Sequence, residues 1–237
     1  MALTTAHVAA AARVVEDAGP TPGDVYMTDE DYELAIRQLL APPVAGDVWL
    51  FAYGSLLWKP ACAVEESHRA DVHGWHRSFC IRVPRFRGTP ERPGLMMTLE
   101  PGGQCQGMIF RLPAHRVHES LGQLFRRELM VKPSGNRPRW VTARTADGPV
   151  RAMAFVVNRQ CPRYAGKLAL EEVAEVVARA AGHWGSCAEY LHNTVAHLAE
   201  RGIHDRNLWR LQALVAERIG REELNGSTDS RKGNRGT

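Results

Sequence analysis

The sequence offers no cysteine pair that reads as a redox or metal motif. Its five cysteines, Cys62, Cys80, Cys105, Cys161 and Cys187, are odd in number, widely spaced and without a CxxC. A disulfide framework is not expected, and reduced thiols in a cytoplasmic protein are. No apolar run approaches the length of a membrane span, so no membrane association is expected. The opening MALTTAHVAAAARVVEDAG carries His7, Arg13 and Glu16 and no basic stretch ahead of a long apolar block, which argues against a secretory signal. Charge of one sign is not in excess either. Thirty Lys+Arg against 26 Asp+Glu leave a net +4, too little for a nucleic-acid binder and compatible with a modest preference for anions.

Several catalytic motifs are also missing. There is no GxxxxGK, GxGxxG, HExxH or GxSxG, so phosphate loops, dinucleotide folds, zincins and nucleophile elbows are not signalled. His73 and His76 would face opposite sides of a strand, and His192 and His197 are five apart on a helix, a poor spacing for one metal. Surface or hydrogen-bonded histidines, and no metal site, are what these spacings predict.

What is present is an ordinary globular composition, 44% hydrophobic and 24% charged over 237 residues, with length for a full core. Residues 1–27 are Ala-rich, interrupted by GPTPG, and read as peripheral. Thr28 and Asp31 form a capping box for a helix to about Leu40, which APP ends. Short segments rich in β-branched and aromatic residues follow at 48–53, 70–83, 94–100, 105–112, 139–145 and 150–158, with one helix at about 114–129. The last third, 170–181, 187–201 and 206–219, is amphipathic helix, and the polar tail from 221 reads as disordered. Strands, one helix, strands and a helical run predict an α+β fold: a curved sheet or small mixed β-barrel flanked by helices.

Two stretches carry candidate chemistry. In WLFAYGSLLWKP, Tyr53, Gly54, Ser55 and Leu56 follow the first strong strand, with Leu57 continuing the apolar run. Gly54 with φ > 0 would let backbone N–H groups converge on a carboxylate, aided by the Ser55 and Tyr53 hydroxyls. A plain turn leaving the sheet is the competing reading. In LFRREL, Glu128 lies four residues on from Leu124 and seven from Leu121, on the apolar face of a helix near its C-terminus. Burial and the helix dipole both raise a carboxyl pKa there, as a general acid/base requires. A buried ion pair with Arg126 or Arg127 fits the pattern equally well. The loops 87–94 and 158–168, the latter presenting Tyr164, complete a plausible pocket.

Taken together, FAYGSLLWKP, GWHRSFCIRVPRFRGTPERPG, LFRREL, CPRYAGKL and EYLHNTVAHLAERGIHDRNLWRL resemble, in order, the ChaC-type γ-glutamylcyclotransferases. The resemblance spans roughly 47–220 and leaves 1–46 as an N-terminal extension with one helix and 221–237 as a tail. It implies a small barrel with surrounding helices, no metal or cofactor, and cleavage of glutathione to 5-oxoproline and cysteinylglycine. It further implies that Tyr53, Gly54, Ser55 and Leu56 bind the γ-glutamyl group, that Glu128 accepts the proton and that Tyr164 lines the site. Ala52 and Leu57 stand where many members have glycine or isoleucine, swaps that keep small and apolar character. Two alternatives stand beside it: a cyclotransferase for other γ-glutamyl amino acids or amines, and a non-catalytic binder of such compounds.

Overall fold

The structure is a computed structural model and describes residues 2–41 and 46–232. In chain order the elements are α1 (Thr5–Ala11), β1 (Val25–Tyr26), α2 (Asp29–Leu40), β2 (Trp49–Ala52), a 3-10 turn (Ser55–Leu57), β3 (Glu66–Val83), β4 (Gly94–Arg111) and a second 3-10 turn (Ala114–Arg116). Then come α3 (Val117–Glu128), β5 (Val131–Lys132), β6 (Asn136–Thr145), β7 (Gly148–Val157), α4 (Leu170–Arg179), β8 (Ala181–Gly182), β9 (Gly185–Ser186), α5 (Cys187–Glu200) and α6 (Arg206–Lys232).

Five strands close into a barrel in the order β2-β4-β3-β6-β7. Most pairs are antiparallel, but β7 runs parallel to β2, with Trp49 opposite Ala152 and Leu50 opposite Met153. From Ala152 to Val157 every residue of β7 is buried, as a strand covered on both faces requires. Leu50, Phe51 and Ala52 on β2 are equally dry. Each large side chain so buried contributes roughly 1.5–3 kcal/mol of transfer free energy. Helices α4, α5 and α6 pack on one another, and α5 lies against β4. The α+β barrel flanked by helices is the architecture the sequence pattern predicts. No helix among the described residues is long and apolar enough to cross a membrane.

Three expectations need correction. The segments 94–100 and 105–112 are not two strands but one, β4, paired with β3 over its whole length. The intervening Pro101-Gly102-Gly103 bends the ribbon without ending it. Gly102 and Gly103 take φ of 104° and 71°, and a register shift faces them between His73 and Trp75, so the kink is absorbed as a bulge.

Among the described residues, the N-terminal segment holds two helices, Thr5–Ala11 and Asp29–Leu40, and they share the core of the rest. Leu3 and Ala11 are 4% and 5% exposed and join Tyr32, Ile36 and Leu39 in one hydrophobic cluster with the barrel. The Leu3 amide donates to Gln212 Oε1 at 3.3 Å, tying the segment to α6. An Ala-rich stretch shows little amphipathic contrast in sequence, and its burial is decided by the helices it meets.

The tail expected to be disordered from 221 is helical to Lys232. Arg221 pairs with Glu217 one turn back, and Glu222 accepts from Arg179 of α4. Such i,i+4 and interhelix ion pairs extend a polar helix beyond its apolar stripe.

Candidate active site

Where β2 ends at Ala52, the chain turns through Tyr53 and Gly54 into the 3-10 turn. Gly107 of β4 makes this close crossing possible: a Cβ there would stand 2.5 Å from the Ala52 carbonyl oxygen and 2.8 Å from the Phe51 ring. Three arginines then fix the loop by its carbonyls. Arg77 Nε of β3 donates to Tyr53 O at 2.8 Å, Arg201 Nη2 donates to Leu57 O at 2.8 Å, and Arg127 Nη1 of α3 donates to Lys59 O. Arg77 is a buried cation, its side chain 2% exposed, and Asp205 neutralises it at 2.8 Å. Because a trans peptide opposes its C=O and N–H, anchoring Tyr53 O on Arg77 turns the Gly54 N–H the other way. The first turn of a helix leaves its N–H groups without intrahelical partners. Among the described residues the Gly54 and Leu56 amides donate to no protein acceptor.

Gly54 does not adopt φ > 0. Its φ is −142°, so the left-handed nest anticipated from the sequence is not how this loop is built. The glycine answers a different need, close approach: a Cβ at 54 would lie 3.0 Å from Met97 Cε and 3.1 Å from the Tyr190 hydroxyl. Nor is the Tyr53 hydroxyl available as a donor to a ligand, since it donates to Phe155 O at 2.8 Å inside the barrel.

Glu128 is the last residue of α3. The stripe that precedes it, Leu121, Leu124 and Phe125, is fully buried, and the Glu128 side chain is 17% exposed. Burial raises its pKa, and the Arg127 guanidinium pulls in the opposite direction. Arg127 Nε stands 3.4 Å from Glu128 Oε1, while Asn136 Nδ2 donates to Oε2 at 3.4 Å. Asn136 is itself oriented by the buried Thr98, whose hydroxyl donates to its Oδ1 at 2.7 Å. Arg127 Nη2 also donates to Ser55 Oγ at 2.9 Å. One guanidinium thus links the loop hydroxyl to the carboxylate. Arg126, the other cation considered as a partner, turns away to Asp29.

Tyr53, Gly54, Ser55, Leu56 and Glu128 line one cavity of about 540 Å³, within the usual range for small-molecule sites. Two sequence candidates do not join them. Leu57 is 3% exposed and packs in the core, because the 3-10 turn directs it inward. Tyr164 is not on the cavity wall. Its hydroxyl donates to Glu100 Oε1 at 2.6 Å, and its backbone bridges to Ile81, so it fastens the loop after β7 to β3.

Tyr190 of α5 takes a place on the wall instead. It is 3% exposed, and burial and the nearby Glu128 charge push its hydroxyl pKa up, which keeps it protonated. Arg77, Asn136, Thr98 and Tyr190 were missed because each is an unremarkable polar residue in its own segment. Arg77 shares its strand with Arg69 and Arg82, so nothing local set it apart. Among the described residues no group of three or more His, Cys, Asp or Glu is placed to hold a metal. All five cysteines are free, with burial raising the thiol pKa of Cys62, Cys105 and Cys187 to about 11.

Residues 48–218 match the family of ChaC-like proteins. The chain is 35% identical to the glutathione-specific gamma-glutamylcyclotransferase of Escherichia coli K12 over 171 residues, 72% of this chain and 73% of that one. It is 33% identical to glutathione-specific gamma-glutamylcyclotransferase 1 of Mus musculus over 161 residues, 64% of this chain and 71% of the mouse protein. In fold it is similar to the crystal structure of the yeast gamma-glutamyl cyclotransferase specific to glutathione, with a TM-score of 0.64, 21% identity, and coverage of 74% of this chain and 96% of the yeast chain.

Proposed function

The chain belongs to the ChaC-like protein family, and on that premise we propose that it is a glutathione-specific γ-glutamylcyclotransferase in which Glu128 moves the protons. The observation that carries the mechanism is the single cavity that joins the clamped 53–56 loop to a carboxyl held above its ordinary pKa.

Glutathione contains its own nucleophile. Its α-amino nitrogen attacks the γ-carbonyl carbon, a five-membered ring forms, and the C–N bond to cysteine breaks. The products are 5-oxoproline and cysteinylglycine. The enzyme's first task is to fold the flexible glutamyl chain so that amine and carbonyl meet, a proximity effect worth several kcal/mol. The α-carboxylate rests on the Gly54 and Leu56 amides, with the Ser55 hydroxyl fixed beside it by Arg127.

The second task is proton traffic. The α-ammonium loses two protons on its way to the lactam N–H. The departing nitrogen gains one as the C–N bond breaks and a second as it becomes the product ammonium. The exchange is balanced, so one carboxyl that alternately accepts and returns a proton suffices. Glu128 is suited to this because its raised pKa brings it closer to the amine than an exposed glutamate would be. Its ionised form is kept accessible by Arg127 and Asn136.

Purified protein incubated with glutathione, without added metal, should release 5-oxoproline and cysteinylglycine in equal amounts. Release of glutamate and cysteinylglycine instead would identify a hydrolase. No release from glutathione or other γ-glutamyl substrates would leave a binding protein.

A further inference from the structure

The segment before the family-matched region reaches the cavity, since Thr21, Asp24 and Tyr26 are part of its wall. It is fastened there from several sides. Arg85 grips Asp17 with two bonds, 2.9 and 2.7 Å, and donates to the Tyr26 hydroxyl at 2.9 Å. Arg163 grips both oxygens of Asp24 at 2.6 and 2.5 Å. β1 pairs with β5, with Tyr26 opposite Val131.

This arrangement sorts the cations of the cavity. Of its wall residues, Arg85 and Arg163 are taken by Asp17 and Asp24 of this strap, residues 17–26, Arg87 is paired with Glu189 at 2.8 Å, and Arg127 serves Ser55 and Glu128. Lys59 and Arg82 also line the cavity, and among the described residues their side chains have no acidic partner. Their backbones are held by different contacts. Lys59 closes the 53–59 loop beside Arg127. Arg82 donates its backbone N–H to Arg163 O at 2.8 Å, next to the strap.

Arg77, which holds Tyr53, and Arg82 are five residues apart on β3, a rise of roughly 16 Å less the bulge between Phe79 and Ile81. An extended tripeptide of about 10 Å and an arginine side chain together bridge that span.

Resting on the cyclotransferase reading, we propose that Arg82 is a specificity-determining residue: it binds the terminal carboxylate of the leaving dipeptide at the end of the cavity closed by residues 17–26. A γ-glutamyl peptide in this site carries one carboxylate at each end, and the strap leaves one guanidinium uncommitted where the second arrives. The site would therefore favour short γ-glutamyl peptides with a free C-terminus.

The test compares glutathione with its C-terminal amide on the wild type, Arg82→Gln and Lys59→Gln. In the wild type the amide should have a KM about tenfold above that of glutathione, as loss of one charge-assisted bond implies. Arg82→Gln should raise KM for glutathione by a similar factor, leave kcat within about twofold, and add no further penalty for the amide. Lys59→Gln should retain the wild-type ratio. An Arg82→Gln variant that keeps the tenfold preference, or a Lys59→Gln variant that abolishes it, overturns the assignment while the cyclotransferase reading stands. A wild type that turns over neither substrate overturns both.

Discussion

Arg127 Nε lies 3.4 Å from Glu128 Oε1, so the candidate acid is held by its own neighbour in sequence. The same guanidinium donates at 2.9 Å to Ser55 Oγ, 72 residues earlier in the chain. Through Arg127, α3 and the loop after β2 behave as one polar unit on the cavity wall, and the consequences of altering that unit are specific.

Glu128→Gln keeps the size of the side chain and its contact with Asn136 but cannot carry a proton. Turnover of glutathione should fall by about 10²–10⁴, the usual worth of a general acid/base. KM should change little, because the loop amides that hold the substrate are untouched. Steady-state 5-oxoproline release measures both. Activity within a few-fold of wild type would remove Glu128 from the mechanism.

The same substitution should stabilise the fold at neutral pH. Burial holds the Glu128 carboxyl above its unfolded pKa, so the folded protein binds more protons than the unfolded chain across that interval. Stability therefore falls as pH rises through it. Glutamine does not suffer this loss, so the variant should melt at a higher temperature than the wild type at neutral pH. The gain should vanish below the unfolded carboxylate pKa, where wild-type Glu128 is protonated in both states. Thermal melts at neutral pH and in acid check the sign.

Arg127→Gln removes the cation that lowers the Glu128 pKa. The acidic limb of kcat/KM should move to higher pH. KM should also rise several-fold as Ser55 loses its donor. Arg127→Lys restores the charge but not the fork that reaches Ser55 and Lys59 together, so it should recover the pH limb more fully than KM. A profile unmoved in both variants would separate Arg127 from the proton chemistry.

Gly54→Val tests the loop through crowding. A Cβ at 54 already meets Met97 Cε at 3.0 Å and the Tyr190 hydroxyl at 3.1 Å, and branching adds two more methyls at that point. KM should rise at least tenfold, with stability lowered by the roughly 1–3 kcal/mol of an overpacked site. Gly54→Ala should be milder, because both neighbours are the ends of side chains that can yield a few tenths of an ångström. An unchanged KM in the valine variant would place the substrate elsewhere.

Sequence alone determined the types of the longer elements between residues 28 and 219, the α+β class, the Thr28/Asp31 capping box, observed with bonds of 2.8 and 3.3 Å, and the face of α3 on which Glu128 lies. These are local properties: hydrophobic period, cap chemistry and turn residues act within a few positions of one another. Tertiary structure decided the rest. Pairing with β3 carried β4 through Pro101-Gly102-Gly103, and core contacts drew in the Ala-rich N-terminus. A hydrogen bond to Glu100 took Tyr164 away from the cavity. Arg77, Arg127 and Arg201 became clamps on the 53–59 carbonyls only because β3, α3 and the end of α5 converge there. An arginine's partner is fixed by which acceptor the fold brings within reach of a long side chain, and distant segments meet only once the barrel is closed.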